Sequence, residues 1–105
     1  MIYEEINSMI SEIGLPFAYQ HFSEGESPSI PFIVFDIAKE NPFSADNIVY
    51  FSTKSLEIAL YTAEKSPNTE KTVEDVLTAH ELFYSKSETW VSGVNLYEIL
   101  YELEV

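Results

Sequence analysis

The chain has 105 residues, 46% of them hydrophobic, and sets 18 Asp plus Glu against 5 Lys plus Arg for a formal net charge of −13. The length suits a single domain that buries about two-thirds of its unfolded surface, and the apolar content separates it from disordered acidic tails. The charge argues against binding nucleic-acid phosphates or an anionic membrane surface, while the absence of Cys excludes disulfides, thiolate zinc sites and Cys nucleophiles.

No apolar run approaches the about 20 residues that span a bilayer. Glu4 and Glu5 stand where a signal peptide carries basic residues, so the chain is expected to start at its natural Met1 without a leader.

Residues 1–13 read as a helix, with Ile2, Ile6, Met9, Ile10 and Ile13 as one apolar stripe. Glu4 and Glu5 favour the positive end of its dipole, Gly14 caps it and Pro16 stops it. Residues 17–22 are expected to form the first strand, with Phe17, Tyr19 and His21 on one face. Residues 23–31 carry Glu24, Gly25, Glu26, Pro28, Pro31 and several serines, the composition of a surface loop, and are long enough to project.

Residues 31–38 contain the near-continuous apolar run Phe32-Ile33-Val34-Phe35, the mark of a central strand; Asp36 interrupts one face and points to a rim or an interface. Residues 39–47 read as a second polar connection, with Pro42, Asp46 and Phe43. Phe43 is an aromatic in a loop, placed either to fold back on the core or to plug a neighbour. Ile48-Val49-Tyr50-Phe51 begin an extended segment expected to bulge at residues 52–54 and continue into residues 56–62. There Leu56, Ile58 and Leu60 alternate with smaller or polar residues, the period of a strand with one buried face.

After a turn at residues 63–68, Val73, Val76, Leu77 and His80 recur at i, i+3, i+4 and i+7. This predicts a helix from Pro67, with Ser66 as N-cap, to about Phe83, its Glu70, Glu74 and Glu81 facing solvent. Residues 84–91 form a strand, Ser92-Gly93 a hairpin turn, and residues 94–105 the last strand. On that strand Tyr97, Ile99, Tyr101, Leu103 and Val105 share one face, opposite Glu98, Glu102 and Glu104. The order α-β-β-β-α-β-β predicts an α+β fold: a single two-layer domain, a mostly antiparallel sheet of about four to five strands with two helices on one face.

No catalytic, cofactor or metal site is assigned. His80-Glu81 invites comparison with the zinc-protease helix, but the residue four after His80 is Tyr84. His80 is read as a satisfied core or boundary residue, and His21 as a strand residue near the sheet edge. No serine sits in a nucleophile elbow, and with 3 Gly there is no phosphate-cradling loop. Glu98, Glu102 and Glu104 are read as a solvated strand face instead of a hard-cation site. Trp90 suits core or rim packing, or an interface hot spot.

Several short words resemble a family of small tail-completion proteins of long-tailed phages and Gram-positive prophages. They are Leu15-Pro16-Phe17-Ala18-Tyr19-x-His21-Phe22, Pro31-Phe32-Ile33-Val34-Phe35, and Asn41 onward with Phe43-Ser44-Ala45-Asp46. Leu56-Glu57-Ile58-x-Leu60-Tyr61-Thr62, Glu70-Lys71-x-Val73-Glu74-x-Val76-Leu77 and Leu96-Tyr97-Glu98-Ile99-Leu100-Tyr101-Glu102 continue it, so the likeness covers nearly the whole chain, in packing pattern and without a catalytic signature. The resemblance implies a tail terminator, or tail-to-head joining protein, a non-enzymatic virion component without cofactor. Such a protein self-associates into a hexameric ring that caps the major tail tube protein and docks the head connector. It would be assembled in the host bacterial cytoplasm and reside at the head-tail junction, with DNA passing through the ring but no specific nucleic-acid binding and no membrane. Residues 94–105 and the loops 23–31 and 39–47 are the expected contacts, and Glu24, Glu26, Phe43, Asp46, Trp90, Glu98 and Glu102 the candidate interface residues. The competing expectation is an acidic DNA mimic that inhibits a basic DNA-binding protein.

Overall fold

Seven elements follow the expected order: α1 (Tyr3–Ser11), β1 (Phe17–Tyr19), β2 (Phe32–Ala45), β3 (Ile48–Thr62), α2 (Pro67–Ala79), β4 (Ser85–Val91) and β5 (Leu96–Glu104). The structure, a computed structural model, describes all residues except Glu24, Glu26, Ser27, Asp46 and Asn47, and for residues 41–45 and 48–52 the backbone alone. The strands form one sheet in the order β1-β2-β3-β5-β4. Every pairing is antiparallel except β1 with β2, which run parallel from Phe17↔Ile33 to Tyr19↔Phe35.

The register stacks the apolar residues in rows across the sheet. Ile33, Leu60 and Ile99 form one row, Phe35, Ile58 and Tyr101 the next, and Ile37, Leu56 and Leu103 a third. Both helices lie on this face. Ile6, Met9 and Ile10 of α1 and Val73 and Leu77 of α2 join those rows in one buried cluster. Burial of this many large side chains, at about 1.5–3 kcal/mol each, is what offsets the ordering of the chain. The α+β, two-layer architecture with both helices on one face is thus as expected.

Local ends explain the differences in length. α1 starts late, with Ile2 at its N-cap, exposed, and the Glu5 carboxylate accepting the Ile2 N–H at 3.0 Å. Gly14, at φ +85°, takes the left-handed conformation that ends this helix. β1 stops at Tyr19 because Gln20 turns to φ 67°, so His21 lies beyond the strand, exposed, and not within it. α2 ends at Ala79, short of Phe83, since Glu81 adopts φ 58° and donates its N–H to the Thr78 carbonyl at 2.9 Å. The β4–β5 turn spans residues 92–95, and its left-handed residue is Asn95, φ 53°, instead of Gly93.

The largest correction concerns residues 39–47. Residues 39–45 are not a connection: they continue β2, paired with residues 48–55 of β3. β5 reaches no further along β3 than Ser55 and the flanking Lys54–Val105 hydrogen bonds. β1 covers β2 only at residues 33–35. Beyond those limits β2 and β3 run on as a two-stranded ribbon, and the molecule measures 50 × 29 × 23 Å. The ribbon's residues show no period-2 alternation of apolar and polar side chains, so the strand signal is absent from the sequence there. Pro42, opposite Ser52, lies in a strand whose other edge is unpaired among the described residues, a position where Pro is tolerated. The expected bulge at residues 52–54 is not there. The register shifts lie between Ile37 and Lys39 and between Phe43 and Ser44.

Candidate interaction surface

The sheet face away from the helices is uncovered by any other element among the described residues. Cross-strand pairing sets its rows. Phe32, Tyr61, Glu98 and Thr89 form the first, with Phe22 edge-on to Phe32 at 5.4 Å and Phe32 stacked on Tyr61 at 5.2 Å. Ala18, Val34, Ala59, Leu100 and Ser87 form the second. Asp36, Glu57, Glu102 and Ser85 form the third, and Lys39, Ser55 and Glu104 the fourth.

The third row places three carboxylates directly opposite one another on β2, β3 and β5. Like charges so placed destabilise a sheet. Asp36 accepts a hydrogen bond from the Gln20 amide at 3.3 Å, but no cation among the described residues pairs with Asp36, Glu57 or Glu102. Between the first and third rows lies a hollow of about 220 Å³, lined by Val34, Asp36, Glu57, Ala59, Tyr61, Glu98 and Leu100. Ala59 leaves its floor low. Tyr61 donates its hydroxyl to Glu98 at 2.7 Å, and burial, then this bond and the carboxylate's charge, push the phenol up to about 12.

The charges on the helix side are, in contrast, paired. Glu70, expected in solvent, is only 2% exposed. It sits at i−3 from Val73 and i−7 from Leu77, on the buried stripe. Lys86 and Lys65 reach its carboxylate at 2.7 and 2.9 Å. Glu74, also expected in solvent, is half-buried, paired with Lys86 at 2.8 Å and accepting the Tyr101 hydroxyl at 2.8 Å. Burial opposes the Glu70 charge, but the two lysines outweigh it and hold the carboxyl below its usual range. Glu70 and then Glu74 hold Lys86 well above the usual lysine range. Glu81 is exposed as expected. His80 closes the gap between the helix ends, its Nε2 3.0 Å from Glu12, in the boundary role expected of it.

Of the candidate interface residues, Glu98 and Glu102 fall together on the open face. Trp90 does not join them. It lies on the helix side of β4, edge-on to Tyr97 at 4.8 Å and 47% exposed, a rim packing position. Phe43 pairs with Phe51 in the ribbon backbone, and its side chain, like Glu24, Glu26 and Asp46, lies outside the described residues. Sequence reasoning reads Asp36 as a rim or interface acid but does not bring Asp36 or Glu57 together with Glu102; only register aligns the three. Their signal was that each occupies the face opposite the apolar alternation.

A scan against protein-family models finds no match, and a search of the curated proteins finds none either. Among the described residues no group of three or more His, Asp or Glu has the geometry to hold a metal ion. No helix described is long and apolar enough to cross a membrane.

Proposed function

We propose that the chain is a non-enzymatic structural protein of a long-tailed phage virion, which caps the tail tube as a hexameric ring and joins it to the head connector. The observation that supports this reading is the β2–β3 ribbon. Among the described residues no strand pairs with its two outer edges away from the core, and an unpaired edge is a template for pairing with another chain. A projecting edge on one side of a subunit and a second free edge on β4 at the other end of the sheet are the two different surfaces that a head-to-tail ring requires. The hexamer, the tail-tube and connector partners and the head-tail location are what the family resemblance implies.

The test is genetic. A phage lacking this chain should make tails of uncontrolled length that fail to join heads, and its purified product should assemble, alone or on tail tubes, as about six copies of the 12.0 kDa chain. Normal tails and normal joining without it would end the proposal. The carboxylate row on the open face favours a second reading, a DNA mimic. That reading is weaker because apolar and aromatic rows occupy the same face on one side of the carboxylates, which a polyanion surface does not need.

A further inference from the structure

We infer that the open sheet face is a docking site for an arginine-bearing segment of a different, basic protein, with one arginine seated in the hollow over Ala59. The inference is independent of the ring reading and rests on shape and charge. The floor, Ala59 with Val34 and Leu100, suits the aliphatic stem of a long basic side chain. Asp36 and Glu57 at one end of the hollow and Glu98 at the other offer carboxylates to a guanidinium, which takes them bidentately. Tyr61, whose hydroxyl is held by Glu98, lines the same hollow.

The chain's own charges exclude a second copy as the occupant. The chain has five lysines and no arginine. Lys54, Lys65, Lys71 and Lys86 are each paired with carboxylates of their own chain. Lys39 alone stands on the open face, against Asp36, Glu57, Glu98, Glu102 and Glu104. A self-complementary contact would therefore bring ten carboxylates (five from each copy) together with two lysines. The neighbouring strands are about 4.8 Å apart, so the three-acid row spans about 10 Å, the rise of two helical turns. Basic residues at i, i+4 and i+7 of an amphipathic helix laid across the strands match it.

Natural sequences keep such a local conflict where a partner resolves it. Here uncompensated like charges sit on the three central strands, while four of the five lysines of the chain serve elsewhere.

The experiment titrates the isotope-labelled protein with a leucine–arginine amphipathic peptide, its scrambled isomer and its glutamate-for-arginine counterpart, following backbone amide shifts. Expected are shifts confined to residues 34–36, 57–61 and 98–102 with the arginine peptide. Binding should weaken at least tenfold in Asp36→Asn/Glu57→Gln, and likewise in Ala59→Leu, which fills the hollow and keeps the charge. Neutralising three acids on α1 and its end (Glu4→Gln/Glu5→Gln/Glu12→Gln) should leave affinity within twofold. The proposal is overturned if no peptide binds, if the scrambled isomer binds equally, or if the α1 variant loses as much as the open-face variants. It is also overturned if concentrating the protein alone shifts the same amides, which would make a second copy the occupant.

Discussion

Replacing Glu57 by Gln removes the middle charge of the row Asp36–Glu57–Glu102 while keeping the side-chain shape. Cross-strand carboxylates splayed to about 6 Å repel by about 0.7 kcal/mol per pair with water's dielectric constant. A Debye length of about 10 Å in 0.1 M salt roughly halves that. Two pairs then give a stabilisation of about 0.8 kcal/mol. For a domain of this size the melting temperature should rise by about 3–6 °C. In 1 M NaCl, with a Debye length of about 3 Å, the gain should shrink to about 0.2 kcal/mol. Calorimetry of the wild type and Glu57→Gln in 0.1 and 1 M NaCl measures both numbers. Glu64→Gln, an exposed acid outside the row, is the control and should move stability by less than about 0.5 kcal/mol. A lower melting temperature for Glu57→Gln, or a gain undiminished by salt, would refute the repulsion argument. The substitution that stabilises the fold is also one expected to weaken docking, the usual opposition where a surface serves a partner.

Glu70→Ala should cost about 2–3 kcal/mol in urea unfolding, below the about 3–5 of a sealed pair because Lys65 and Lys86 can rehydrate. The folded Glu70 pKa lies below its unfolded value, so this contribution is complete above the ordinary carboxylate range and disappears as pH falls through the folded pKa. Lys86 is raised, so its share is complete below the ordinary lysine pKa, about 10.4, and is lost only as pH rises through the folded value. Wild type and Glu70→Ala should therefore converge in stability in strong acid; a gap as wide there as at pH 7 would contradict the pairing. In ultraviolet titration Tyr61 should ionise late, and Glu98→Gln should bring it down; a Tyr61 phenol that titrates with the free amino acid would contradict the Glu98 bond. Phe83 is 94% exposed, so Phe83→Ser should leave stability within about 0.5 kcal/mol, whereas Leu77→Ala, at a fully buried position, should cost about 2–5 kcal/mol. Equal losses for the two would mean that Phe83 is covered in solution.

Much of the fold was legible because burial writes a period into the chain. Leu56, Ile58 and Leu60, and Tyr97, Ile99, Tyr101 and Leu103, mark the sheet's covered face, and Val73 and Leu77 the helix that covers it. The same logic extended one turn back would have found Glu70 on the buried stripe; its charge concealed that, since a buried carboxylate is affordable only beside cations that the sequence separates from it. Lys86 lies sixteen residues away and on another element.

The candidate surface was legible only in halves. Alternation alone placed Glu98 and Glu102 away from the core. That Asp36 and Glu57 stand beside Glu102, that Ala59 lowers the floor between them and Glu98, and that residues 39–45 extend a ribbon instead of a loop depended on register. Periodicity is a property of one element against one solvent boundary, so the sequence by itself determines element order, the covered face and the exclusion of thiol chemistry. Register is a relation between elements far apart in the chain, decided by how all the rows of the core fit at once. Only the tertiary structure could therefore line up one acid from each of three strands into one uncompensated row.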